Sequence, residues 1–190
     1  MADPTTLFLI RHGEIDRPPV YTFDDAVLTN RGADQIHEVA LAWAHPIPDM
    51  IYCSPLPRSV ETASIFAAVF RRPIRTAHDL EEWAATESDV PDYKYKEIER
   101  QCWADFNYGN DDGESLHHAT DRIVRLLTEI ADRHKGRAVM VSGHAILFAL
   151  LVAYVRGDRA TESSKDRIGF GHYAIAEHAR DFRFVRDFGP

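Results

Sequence analysis

Cysteine is scarce in this chain. Cys53 and Cys102 are the only two in 190 residues, they lie far apart, and neither belongs to a CxxC pair, so there is no basis for a disulfide framework or a cysteine zinc site. Long apolar runs are lacking as well. The longest, Ala145 to Val155, falls well short of the roughly 20 residues needed to span a bilayer. The run Leu7 to Ile10, preceded by an acid and a proline, is too short for a signal peptide. Basic residues are the minority: 22 Lys and Arg against 30 Asp and Glu give a net charge of -8 and a pI near 5.6. No global positive field therefore exists to draw nucleic acid or an anionic membrane, and an anionic ligand would have to meet a local positive pocket. No internal repeat and no low-complexity linker interrupts the chain. These absences predict a cytoplasmic protein without nucleic-acid or membrane partners; they leave the oligomeric state open.

With 45% hydrophobic residues, the chain can bury one full core, and a single domain over residues 1–190 is expected. Thr6 to Ile10 is apolar without polar alternation, as a strand buried on both faces requires. Ala138 to Val141 repeats that pattern. Asp49 to Cys53 and Ile74 to Ala77 read as two further short strands, and His172 to Glu177 and Phe182 to Asp187 as two more at a sheet edge. Helical spacing appears in Arg31 to Trp43 behind the capping residues Thr29 and Asn30, in Ser59 to Phe70, in Ser115 to His134, and in the all-apolar Ala145 to Val155. Trp43 and Phe66 fall at helical spacing and read as core. Strands alternating with helices predict an α/β three-layer sandwich, a mostly parallel central sheet with helices on both faces. Binding groups in such a fold gather beyond the carboxyl ends of the strands. Residues 84–113, rich in charge, tyrosine and tryptophan without a clean period, read as a long loop or small helical excursion, in the place of a lid or specificity insertion.

Two of the predicted buried strands run directly into a histidine. The first ends in Arg11-His12-Gly13-Glu14 and the second in Ser142-Gly143-His144. Phosphoryl transfer without a metal needs a nucleophile, positive donors for the phosphate oxygens and an acid for the leaving oxygen. A neutral imidazole at His12 is a competent nucleophile at neutral pH, and Gly13 removes bulk where a phosphate must approach. Arg11 and Arg58 offer guanidinium forks for its oxygens, and His144, protonated by the negative site, adds a third positive group. His37, His45, His78, His117, His118, His134, His172 and His178 lack metal-ligand spacing with acids or cysteines, so no metal is expected.

Several motifs recur in a fixed order: Arg11-His12-Gly13-Glu14 after a strand, Leu28-Thr29-x-x-Gly32, Ser54-Pro55-Leu56-x-Arg58-x-x-x-Thr62-Ala63, Gly113-Glu114-Ser115, and a late strand followed by Gly143-His144. Together, from Leu7 to about Leu151, they resemble the histidine phosphatase superfamily, the phosphoglycerate mutase-like proteins. The resemblance implies His12 as the phosphorylated residue, with Arg11, Arg58 and His144 as the phosphate pocket, a small phosphorylated substrate and no cofactor. It also implies a proton-donating carboxylate in a Leu-x-Glu pattern, which falls on Glu82 of Leu80-Glu81-Glu82, with Glu81 as its neighbour. Glu14 is assigned a structural role. The Ser/Thr-x-x-Asn continuation of the bisphosphoglycerate-dependent mutases is replaced here by Ile15-Asp16-Arg17-Pro18-Pro19. That departure favours a phosphomonoesterase over a mutase, and the presence of nucleophile, pocket and candidate acid argues against a phosphate-binding module without turnover. Substrate choice is expected to lie with residues 84–113 and the loop Ile15 to Val27.

Overall fold

The computed structural model describes residues 3–16, 24–88 and 90–190. Most of the loop Ile15 to Val27, to which the sequence assigns substrate choice, falls on 17–23, outside the described residues.

Six strands form one sheet: β1 (Thr5–Arg11), β2 (Met50–Cys53), β3 (Ile74–Thr76), β4 (Ala138–Gly143), β5 (Tyr173–His178) and β6 (Phe182–Gly189). Their order is β3-β2-β4-β1-β5-β6. The first four strands are mutually parallel, whereas β5 runs antiparallel to β1 and β6 antiparallel to β5. The sheet is therefore mixed, with the expected C-terminal pair at its edge. Antiparallel neighbours can follow a tight turn, while the parallel strands need long crossovers. Those are supplied by helices α1 (Asn30–Leu41), α2 (Pro57–Phe70), α3 (Asp92–Ala104) and α4 (Leu116–Arg133), while α5 (Ala145–Arg156) leads from β4 to the antiparallel β5.

The unbroken apolar character of β1 has a direct cause. Successive side chains of a strand point to opposite faces, and here both faces are covered. Leu7 and Leu9 enter one cluster with Leu127, Leu147 and Phe148 of α4 and α5, while Phe8 and Ile10 enter another with Ile36, Ala63 and Phe66 of α1 and α2. β4 divides the same way, Val139 and Val141 to the first cluster and Met140 to the second. The helix starts follow their capping residues: Thr29 Oγ1 accepts the Gly32 N–H at 2.9 Å, and Ser115 Oγ accepts that of His118 at 3.1 Å. Each satisfies a donor that the first turn leaves without an intrahelical partner. Among the described residues no helix is long and apolar enough to cross a membrane.

Residues 84–113 form a helical excursion with a closed neck. The chain leaves at Ala84 and returns at Glu114, whose N–H donates to the Ala84 carbonyl at 3.1 Å. A side chain on Gly113 would overlap the Ala85 carbonyl. The Asp112 carboxylate accepts from Thr86 (2.6 Å), Asn110 (2.7 Å) and Ser88. Within the excursion, α3 buries only Ile98 and Cys102, which is why its sequence shows no clean apolar period. Tethers do the rest: Lys165 pairs with Glu99 at 3.0 Å, and Arg159 donates to the carbonyls of Trp103 (3.3 Å) and Ala104 (2.8 Å).

Candidate active site

Strand register brings the two histidines together. Arg11 at the end of β1 pairs with Gly143 at the end of the neighbouring parallel β4, and the His12 N–H donates to the Gly143 carbonyl at 3.1 Å. The residues that follow, His12 and His144, are both buried, with ring centroids 5.2 Å apart. β2 ends one strand further along with Cys53 opposite Ser142, which delivers Ser54 to the same place. Its Oγ lies 2.7 Å from His144 Nε2.

The proton positions follow from these partners. His12 Nδ1 lies 2.8 Å from the Gly13 carbonyl. A carbonyl only accepts, so Nδ1 carries the hydrogen and the lone pair of Nε2 is left for chemistry. Burial, helped by the positive charges of Arg11 and Arg58, pushes the His12 pKa down from 6.5 to about 3, against the pull of that carbonyl. At neutral pH the ring is uncharged. Ser54 Oγ accepts the Leu56 N–H at 3.3 Å, and among the described residues His144 Nε2 is the partner that can accept the proton of this buried hydroxyl. A neutral His144 is then protonated on Nδ1. That Nδ1 is buried and has no hydrogen-bond partner among the described residues, and such an orphan donor costs about 1–3 kcal/mol until something accepts from it. The sequence suggests a protonated His144. Full burial, reinforced by His12, Arg58, Arg11 and Arg122, holds its pKa well below the ordinary value, so the ring is neutral unless an anion beside it favours the charged form.

The two arginines arrive from different elements. Arg58 sits in the first turn of α2, 4% exposed, and its backbone N–H donates to the Ala26 carbonyl at 3.2 Å. Burial lowers its pKa, opposed by the negative charges of Glu82 and Asp24. One helical turn on, Thr62 Oγ1 donates to the Arg58 carbonyl (2.8 Å) and accepts the Gly13 N–H (3.2 Å), locking α2 to the end of β1. Arg11 donates through Nη1 to the Ile168 carbonyl at 2.5 Å, and the Phe170 ring covers its guanidinium at 4.1 Å.

Glu82 and Glu81 diverge, as neighbours in an extended stretch must. Glu81 turns outward to His78, 2.8 Å away. Glu82 turns inward to the amino end of α5, directly after His144: its Oε1 accepts the N–H groups of Trp83 and Leu147, its Oε2 that of Ile146, all at 3.0 Å. A carboxylate oxygen has two lone-pair positions. Oε1 has both filled; Oε2 keeps one for a proton.

Residues from four separate parts of the chain thus meet at the strand ends, with a neutral imidazole between two arginines and a carboxylate. Among the described residues no group of three or more His, Cys, Asp or Glu is placed to hold a metal ion. The family profile of the histidine phosphatase superfamily (branch 1) matches residues 7–186. The chain belongs to the histidine phosphatase superfamily. It is 30% identical to phosphoglycerate mutase-like protein 4 of Arabidopsis thaliana over 75% of this chain and 67% of that one. With phosphoserine phosphatase 1 of Hydrogenobacter thermophilus the identity is 29%, over 74% of this chain and 71% of the relative. The fold superposes on a mycobacterial glucosyl-3-phosphoglycerate phosphatase with a TM-score of 0.78, at 19% identity, covering 96% of this chain and 98% of the other.

For a member of the histidine phosphatase superfamily, Gly13 meets a demand beyond the one its sequence suggests. A Cβ there would lie 2.6 Å from the Gly32 carbonyl oxygen and 2.9 Å from Ile36. The missing side chain makes room for α1, and the Gly13 N–H is taken by Thr62. Glu14 has the structural role assigned to it: its carbonyl accepts the Thr29 N–H at 2.9 Å and its carboxylate the Thr29 hydroxyl at 3.2 Å.

Sequence reasoning missed three supports of this superfamily site. The first is the Ser54 bond to His144. The second is the segment 168–172 against Arg11 and His12, which carries no motif. The third is Arg122 of α4, one fork of which grips the Glu114 carboxylate (2.8 and 2.6 Å) while Nη1 donates to the carbonyls of Asp79 (2.8 Å) and Glu81 (3.1 Å). Arg122 therefore joins the neck of the excursion to the turn that presents Glu82. Arg122→Met, which leaves a largely buried Glu114 uncompensated, is expected to lower stability by about 3 kcal/mol. An unchanged urea midpoint would contradict this account.

Proposed function

We propose that this histidine phosphatase hydrolyses small phosphate monoesters in the cytoplasm, without a metal or cofactor, through a covalent phosphohistidine on His12 Nε2. The observation that carries the reading is the His12 ring itself: its Nδ1–H is committed to Gly13, its pKa is held near 3, and it lies beside a buried His144 donor that lacks a protein acceptor. A phosphate oxygen would supply that acceptor.

In the first step Nε2 attacks phosphorus, the N–P bond forms, and the P–O bond to the substrate breaks. Arg11, Arg58 and the His144 Nδ1–H stabilise the charge on the three equatorial oxygens. Their effect is large because burial weakens solvent screening. Glu82 Oε2 gives its proton to the departing alkoxide, and the backbone N–H groups at the start of α5 stabilise the carboxylate that remains. In the second step Glu82 takes a proton from water, the hydroxide oxygen bonds to phosphorus, the N–P bond breaks, and inorganic phosphate leaves with His12 neutral again.

Acid quench during turnover of a radiolabelled phosphate ester, followed by rapid neutralisation, is expected to trap a phosphoenzyme that is labile to acid and stable to base. Phosphate found on serine or aspartate would sink the mechanism. A panel of phosphorylated metabolites should show net phosphate release; exchange of phosphate between substrate positions without release would identify a mutase.

A further inference from the structure

Residues 168–172, just before β5, form a short strap against the end of β1. It is latched to the motif Arg11-His12 from both sides: the Gly171 N–H is shared between the carbonyls of Arg11 and His12 at 3.2 Å each, and the Arg11 N–H donates to the His172 carbonyl at 3.0 Å. Gln35 Nε2 of α1 donates to the Phe170 carbonyl at 2.6 Å. Gly171 has φ +68°, a left-handed conformation that a side chain would strain. Two neighbours of that glycine then meet Arg11. Ile168 presents its carbonyl to Nη1 at 2.5 Å, and Phe170 lays its ring over the guanidinium carbon at 4.1 Å.

Phe170 is half-buried and belongs to neither hydrophobic cluster of the protein. Among the described residues its ring contacts are with Arg11 and, at 5.5 Å between centroids, with His12. A large aromatic side chain that packs on neither core, and instead covers the nucleophile and the cation beside it, contributes little to folding through burial. Its effect is on the orientation of the guanidinium. The Ile168 carbonyl holds one edge of the guanidinium and the Phe170 ring lies against its face, and a ring in that place opposes rotation of the guanidinium plane.

We propose that Phe170 is a positioning residue for phosphoryl transfer: with the Ile168 carbonyl, its ring fixes the plane of Arg11 so that the fork meets the phosphate oxygens in one orientation. The proposal rests on the phosphatase reading given above. Orientation matters because interactions that require no reorganisation during the reaction stabilise the transition state most. The contribution runs through Arg11 and should vanish when Arg11 no longer carries a planar fork.

The test is a double-mutant cycle on the whole protein, with p-nitrophenyl phosphate as substrate and orthovanadate as a probe of the pocket. Phe170→Leu is expected to lower kcat/KM and to weaken vanadate inhibition by about 10- to 30-fold, the range of a desolvated cation–π contact, with little change in the melting temperature. Phe170→Tyr, which keeps the ring face, should stay within about twofold of wild type. In an Arg11→Lys background, Phe170→Leu should add less than about threefold, because a point charge has no plane to fix. Equal losses from Phe170→Leu in both backgrounds, or loss of vanadate binding with Phe170→Tyr, would overturn the proposal while leaving the phosphatase reading intact. A wild-type protein that neither releases phosphate nor binds vanadate would overturn both.

Discussion

Replacing His12 by alanine is expected to reduce kcat by at least about 10⁴-fold, since removal of the nucleophile in covalent catalysis costs rate enhancements of that order or larger. The fold should persist. Among the described residues the ring makes one hydrogen bond, to the carbonyl of the next residue, and the backbone contacts of position 12 with Gly143 and Gly171 do not involve the side chain. The loss in stability should therefore be about 1 kcal/mol, the usual net value of one such bond. Phosphate release assayed alongside thermal unfolding separates the two effects. A variant that is folded and retains a tenth of wild-type turnover would remove His12 from the mechanism.

The second large effect concerns the acid. Glu82→Gln is expected to slow esters of simple alcohols by about 10²- to 10⁴-fold and p-nitrophenyl phosphate by less than about tenfold, because an activated leaving group departs without a proton. The substitution also turns an amide NH2 toward the N–H groups of α5 that Glu82 now caps, which should cost about 1–2 kcal/mol of stability. Glu81→Gln removes only the exposed pair with His78 and should be mild toward both classes of ester. The measurement is the slope of kcat/KM against leaving-group pKa for each variant. A slope unchanged by Glu82→Gln would move the proton donor elsewhere.

Much of this arrangement is legible in the sequence because it is local. β1 and β4 read as buried strands from unbroken apolar runs, and His12 and His144 follow those runs immediately. Arg58 and Thr62 sit one turn apart in a recognisable motif, and Glu82 shares a pattern with Leu80, which is buried beneath the turn. What resists reading depends on long-range return of the chain. Phe170 lies in a stretch with no motif, and its importance comes from β5 pairing with β1, which carries the strap across Arg11. Arg122 resembles any polar residue of an amphipathic helix until Glu114 and the turn at Asp79 and Glu81 fold over it. Two further features are matters of environment: full burial lowers the His144 pKa, and the close approach of α1, at the Gly32 carbonyl, places its own demand on Gly13. Helix α3 buries too few residues to stamp a period on its sequence.

The closed neck of the excursion separates what the sheet does from what the excursion does. Chain that leaves at Ala84 and rejoins at Glu114 has its ends fixed by hydrogen bonds independent of what lies between. Doubling the length of such a loop costs only about 0.6 kcal/mol. The intervening stretch can thus change in length and sequence while β1, β4 and α2 keep their registers, provided that Ile98 and Cys102 still reach the core and the anchors to Lys165 and Arg159 are kept. The sheet and the excursion can accordingly diverge at different rates, one constrained by strand pairing and the other by its neck and these few anchors.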